Sequence, residues 1–334
     1  MLALGLVLAM AAPAQDPPPP ALADHHVHVL SPTLVRDWKS LGVPFSRPDD
    51  AYTSVAGLLE PVAGRGDDSP LRQALLVPMA HFYGNQEFRG GLGLSLEQEH
   101  ARVRGENDHV AAEAARYPAR AVALCSVDFV RPYAWDEMRR CRRELRSPGL
   151  KLHLASAGAD IRDLAQLGLL ERIAAWAESE NVSLLLHVDT RRSGLEAEDL
   201  TRFFEHVLLP HPRLEVVIAH LGGSGGYGPW TRAVFGALAG RVPREPRRGP
   251  AIFFDLSAVL LEKESEGVPP TTAEEAAALA GDLRRLGLDR VLFGSDYPVF
   301  EPVAYARQLA ERLGLSDLEL GQLLANRTSL LAGR

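Results

Sequence analysis

The sequence predicts an α/β fold, a single (β/α)₈ barrel of the TIM type, distorted and spanning residues 21–334. Three observations predict it. Short apolar runs rich in β-formers alternate with longer segments of helical period, the pattern of parallel strands joined by crossover helices. The runs number eight, the count at which parallel strands close on themselves. Polar side chains gather where those runs end, on the face where such barrels build their sites. The chain of 334 residues exceeds the ~150-residue prior for one domain, but a barrel holds that length in one unit.

Taken in order, the first segment reads as an address. Leu2 to Ala12 is an apolar run of 11 residues, and Ala12-Pro13-Ala14 places small residues where a signal peptidase cleaves. Residues 1–14 are therefore expected to be a signal peptide, although no cation precedes the run, and the protein to be exported (periplasmic or secreted). Without that signal it would be cytoplasmic. The run is short of the ~20 residues of a membrane span, so no stable span is expected. Residues 15–20 read as an extended proline-rich spacer.

Eight strands are expected at 21–29, 73–81, 121–129, 149–155, 182–188, 214–221, 251–259 and 290–297. Amphipathic segments such as 161–178, with Ile161, Leu164, Leu167, Ile173, Trp176 and Ala177 at helical spacing, would clothe them. A closing helix is expected over 316–331 with Ser316 as its N-cap. An open doubly wound sheet is the competing architecture. The glycines of Gly222–Gly226 lack the spacing of a phosphate-binding fingerprint, so they read as a loop.

Composition narrows the function. Hydrophobic residues at 46 % and charged residues at 24 % describe a globular chain. A formal charge of −7 gives no broad basic field, so nucleic acid is not an expected partner. Cys125 and Cys141 show no CxxC spacing, and neither a disulfide framework nor a thiolate metal site is expected. Only Lys39, Lys151 and Lys263 among the 36 cations are lysines, which makes Lys151, set among leucines, worth attention.

His26 and His28 are separated by one residue, so on a strand they share a face, and Asp24 falls in the same phase. His187, His220 and Asp296 each end a predicted strand. Four imidazoles and a carboxylate at one barrel mouth imply a cation. Zinc suits these donors best, and manganese, iron or cobalt fit the same geometry. A metal so held brings the pKa of bound water from about 16 to about 7.

At these residues the chain resembles a known family. Asp24-His25-His26-Val27-His28, the strand-end His187, His220 in AHLGG and Asp296 in LFGSDYP resemble the metal-dependent amidohydrolase superfamily. Glu106-Asn107-Asp108, GLKLH at 149–153, FFDLSA at 253–258 and Asn326 resemble its amidohydrolase-related branch, which includes aminocarboxymuconate-semialdehyde decarboxylase. The resemblance implies a divalent metal, one ion, held by His26, His28, His187 and Asp296, with His220 polarising substrate or acting as acid/base. In some members a lysine at the end of the fourth strand is carboxylated and bridges two ions. Lys151 is therefore a bridging residue, a grip for a substrate carboxylate, or a structural partner of Asp128 or Asp255.

On chemical grounds Asp296 can accept the proton of an attacking water and pass it to a leaving group. His220 can stabilise charge developing on a carbonyl oxygen. Asp24 either orients a neighbouring imidazole or makes structural hydrogen bonds at the strand start. His153 is either a pocket wall or a hydrogen-bonded core residue, and His81, ending the second strand, can touch substrate. Tyr83, Asn85, Arg131, Arg191 and Arg192 lie on loops that would shape the pocket. The expected activity is hydrolysis of an ester, lactone or amide of a small molecule. A decarboxylase acting on a small carboxylated substrate is the alternative, and a ligand-binding barrel without turnover is the third reading. A homodimer is the base-rate assembly.

Overall fold

The computed structural model describes residues 21–59, 70–188, 195–243, 249–265 and 267–332. The expected signal peptide and proline spacer lie outside the described residues, as do Arg191 and Arg192.

All eight expected strands form, each shorter than its apolar run. They are β1 (Leu22–Val27), β2 (Leu71–Leu76), β3 (Ala121–Ala123), β4 (Cys125–Ser126), β5 (Gly149–His153), β6 (Ser183–His187), β7 (Glu215–Ile218), β8 (Ala251–Asp255) and β9 (Val291–Leu292). β3 and β4 are one run interrupted at Leu124. Its first half pairs with β2 and its second with β5, all in parallel. The order then runs from β5 to β9 in chain sequence, each strand parallel to the last. It returns to β1 through His25 N–H to Phe293 O at 2.9 Å and His28 N–H to Tyr297 O at 2.8 Å.

Strand alternation divides the apolar residues into two layers. Outward positions such as Leu150, Leu152, Leu184 and Leu186 join the large core under the helices. Inward positions, among them Leu75, Val77, Val122, Leu185, Val217 and Leu292, form a separate inner cluster. Leu330 and Leu331 join that inner cluster from the far end of the chain and floor the barrel. The inward positions one or two steps further along β5, β6 and β8 are Lys151, His153, His187 and Asp255, so the polarity switch along each strand separates floor from mouth.

The helices begin where capping chemistry directs. The segment expected from 161 starts at Leu164, because the Asp163 carboxylate accepts the N–H groups of Ala165 and Gln166, leaving Leu164 exposed. The terminal helix has Ser316 as N-cap in a reciprocal pair with Glu319, but it ends at Ala325 rather than 331. Asn326 stops it by turning its amide onto the carbonyls of Leu288 (2.6 Å) and Val291 (2.7 Å), which frees the chain to send Leu330 and Leu331 inward.

The expectation of no disulfide framework is corrected to this extent: Cys125 and Cys141 are joined in a disulfide across 16 positions. β4 and the helix Ala134–Arg143 pack together, and that contact, invisible in the spacing of two isolated cysteines, brings the sulfurs within bonding range. No helix of the described residues is long and apolar enough to cross a membrane.

Candidate metal centre

β1 carries a bulge. Asp24 pairs with Ala74 and Val27 with Leu76, so three residues of β1 span two of β2. Because Ala74 and Leu76 share a face, Asp24 is in phase with Val27 and out of phase with His26 and His28. This corrects the expectation that Asp24 shares their face. Its Oδ1 accepts the backbone N–H of His26 and of Ser295, both at 3.0 Å, so it ties β1 to the last strand and orients no imidazole. Burial pushes its carboxyl up to about 7, against those hydrogen bonds. His25, beside it, is buried with Nδ1 3.2 Å from Phe293 O, a packed residue.

His26 and His28 point inward beyond the bulge, and one ring nitrogen of each is already engaged. His26 Nδ1 lies 2.9 Å from Asp255 Oδ2, and His28 Nδ1 lies 2.7 Å from Val77 O. With protons on those nitrogens, both Nε2 lone pairs face Asp296 Oδ1, at 3.6 Å from His26 and 3.1 Å from His28. Lone pairs converging on a carboxylate oxygen repel unless a cation lies among them. The buried Nε2 of His26 has no hydrogen-bond partner, and the donor atoms of His26, His28 and Asp296 all lie within 4.8 Å of one another. This donor set fits a divalent ion, with the outer partners fixing each ring as metal sites require.

Asp255, which the sequence offered only as one possible structural partner of Lys151, serves His26 instead. Besides His26 it receives the backbone N–H of His220 at 2.9 Å and the N–H of Ser257 at 3.1 Å, and it also binds the Ser257 hydroxyl. Burial opposes its ionisation, but the neighbouring His26 and His220 and these donors hold its carboxyl far below the usual range. Its signal was available: it ends β8 as His187 ends β6. A second group of donors, His26, His220 and Asp255, also gathers within 4.8 Å. Since Asp255 and His26 meet through Nδ1, that contact reads as support for the ring.

His220 leaves β7 in the left-handed region at φ 50°, followed by Leu221 at φ 55°, and Asp296 leaves the last strand at φ 57°. Each costs a non-glycine residue roughly 1–3 kcal/mol, strain that concentrates at functional sites. The twist turns His220 into the mouth, with Nδ1 2.8 Å from Ser257 O. Gly294 permits the crowding: a Cβ there would meet His26 Cβ at 3.0 Å and Ser257 Cβ at 3.1 Å. Burial would favour neutral Asp296, but the adjoining imidazoles of His28, His220 and His26 hold it far below the usual range.

His187 lies outside the tight donor trio. Its ring centroid is 4.6 Å from that of His220 and its plane stacks on His153 at 3.8 Å. Its Nε2 is buried without a hydrogen-bond partner, and burial keeps the ring well below its usual pKa. His81 repeats the pattern, with Nδ1 2.7 Å from Ser126 Oγ and a bare, buried Nε2. His153 lines the same wall, 5.1 Å from His81 by ring centroids.

Lys151 is 2 % exposed, and among the described residues no carboxylate comes within ion-pair distance of it, Asp128 and Asp255 included. Burial lowers its ammonium to about 8 against the pull of Asp255 and Asp296. With His26, His28, His187, His220 and Asp296 it lines a cavity of about 970 Å³. Asn85 and Arg131 line the same cavity. Tyr83 instead turns its hydroxyl to Asp37 at 2.8 Å.

The amidohydrolase family model matches residues 23–324. The chain belongs to the amidohydrolase family. No curated protein matches it. Among solved structures it is similar to 5-carboxyvanillate decarboxylase from Sphingomonas paucimobilis, with 18 % identity, 91 % of this chain and 96 % of that one covered, and a TM-score of 0.58. It is similar to a dihydroxybenzoic acid decarboxylase from Polaromonas sp. JS666 holding manganese and 2-nitroresorcinol, with 14 % identity, 91 % and 94 % covered, and a TM-score of 0.58. A protein given as a probable 2-pyrone-4,6-dicarboxylic acid hydrolase from Acinetobacter baumannii is similar at 16 % identity, 91 % and 96 % covered, with a TM-score of 0.53. At these identities the likeness is one of fold.

Proposed function

We propose that this amidohydrolase-family enzyme is a metal-dependent decarboxylase of a small carboxylated substrate. Lys151 carries the reading: a buried ammonium without a carboxylate partner among the described residues, opening on the cavity beside the donor set, is a seat for a substrate carboxylate. The similarity of the fold to two decarboxylases supports it.

His26, His28 and Asp296 would hold a divalent ion, with the bare Nε2 of His187 as a further donor. Such an ion, zinc or manganese, supplies Lewis acidity toward the acidic oxygens of the substrate. Lys151 binds and orients the substrate carboxylate at the strand ends, beside the donor set. When the carbon–carbon bond breaks, its electron pair stays on the substrate carbon. That carbon then takes a proton. His220 is placed to give it from Nε2 when both ring nitrogens carry protons, since Ser257 O holds the Nδ1 proton while the ring lines the cavity.

Hydrolysis of an ester, lactone or amide is the second reading, favoured by the likeness to the dicarboxylic acid hydrolase and by Asp296 standing against two imidazole lone pairs, where it can take a proton from water. Incubating the metal-loaded enzyme with hydroxybenzoic acids and with lactones, while recording carbon dioxide and acid release separately, decides between them. Carbon dioxide release abolished by Asp296→Ala is the expected result. Acid release alone would establish the hydrolase. We propose export as well, since the buried Cys125–Cys141 disulfide suits an oxidising compartment.

A further inference from the structure

We propose that the cavity contains a second anion subsite at Arg89, and that it selects substrates bearing two acidic groups on a flat frame. The proposal rests on the reading of the cavity as the active site and names the class of acid it takes.

Arg89, Arg131 and Lys151 are the cations lining the cavity among the described residues. Arg131 is satisfied, its guanidinium forked onto Glu99 at 2.7 and 2.9 Å. Arg89 is not. Its Nε is buried without a hydrogen-bond partner, and among the described residues no carboxylate comes within ion-pair distance of its guanidinium. Asp128 feels its charge without pairing with it, and Glu87 on the same helix also faces the cavity. The side chain is half-buried where it lines the cavity, and the planar donor fork of a guanidinium matches a carboxylate.

The side chain hangs from a fixed support. The helix Gln86–Leu92 is capped by Asn85, whose Oδ1 accepts the N–H groups of Glu87 and Phe88 at 3.1 Å each, while its Nδ2 donates to Ser156 O at 2.9 Å across the cavity wall. Phe88 anchors the inner face of this helix, its ring centroid 5.4 Å from Tyr83 and 6.0 Å from Phe82. Phe82 lines the same cavity as an apolar wall, 6.4 Å from His153 and 5.5 Å from Trp38 by ring centroids. Lys151 receives one carboxylate at the strand ends and Arg89 the second acidic group, with the rigid body of the substrate against Phe82.

Calorimetric titration of the metal-loaded full chain with isophthalate and with benzoate tests this. The wild type binds isophthalate at least about tenfold more tightly, the scale expected for a charge-assisted contact. Arg89→Gln removes that preference while leaving benzoate affinity within about twofold, Arg89→Lys restores part of it, and Lys151→Met weakens both acids. A wild type without preference, or an Arg89→Gln variant that retains it, overturns the subsite. Carbon dioxide measurement on the same acids and their hydroxylated forms separates the two readings. Loss of preference in Arg89→Gln without any decarboxylation leaves the subsite standing and removes the decarboxylase. Equal turnover of monoacids and diacids does the reverse.

Discussion

Asp255 and His26, 229 positions apart, meet at 2.9 Å through Oδ2 and Nδ1, and this contact decides which ring nitrogen of His26 faces the barrel mouth. Asp255→Asn keeps an oxygen for the N–H groups of His220 and Ser257 but lowers the electron density passed to the ring. Zinc or manganese affinity, read by chelator competition, is expected to fall about 10–100-fold with the fold retained. Unchanged affinity would mean that the carboxylate serves only the backbone.

Lys151 makes the metal-free fold pH-dependent. Its ammonium titrates near 8 in the folded chain against 10.5 unfolded. Between those values the unfolded state binds more protons, so stability rises with pH across that window and is lowest below it. Lys151→Met is expected to stabilise the apoprotein at pH 7 by a few kcal/mol. Urea melts at pH 7 and pH 10 should show the advantage shrinking at the higher pH. A constant difference would place the ammonium in a solvated setting.

The Cys125–Cys141 bond closes a loop of 16 positions, for which chain entropy allows about 3 kcal/mol of stabilisation. Both sulfurs are buried, so a reductant should act on the protein only as it opens. Thermal melts with and without dithiothreitol are expected to differ by several degrees for the wild type and to coincide for Cys125→Ser.

Leu331 is 1 % exposed in the inner cluster. Leu331→Ala is expected to cost about 2–5 kcal/mol, as truncation of a well-packed leucine does. The metal site, at the opposite end of the strands, should keep its affinity. Denaturant titration beside metal titration checks both halves of that statement.

The eight strands and the polar mouth are legible because burial on both faces writes long apolar runs, and because the chemistry at their ends interrupts those runs with residues such as His187 and His220. Asp24 misleads for a definable reason: period-two counting assumes an unbroken ladder, and the bulge between Asp24 and Val27 shifts the phase. The terminal helix is overread because Asn326 resembles an ordinary helical residue until its partners Leu288 and Val291 are adjacent in space. Arg89 carries no local mark at all. Its meaning comes from the partner it lacks, and a missing neighbour is a three-dimensional fact.

Because Leu330 and Leu331 supply the underside of the inner layer, a nascent chain arrested short of them leaves Val77, Leu185 and Val217 open to water from below. Folding is thereby coupled to completion of synthesis through residue 331. Prematurely terminated products should be recognisable to proteases by that uncovered interior, even when every residue at the catalytic rim has been made.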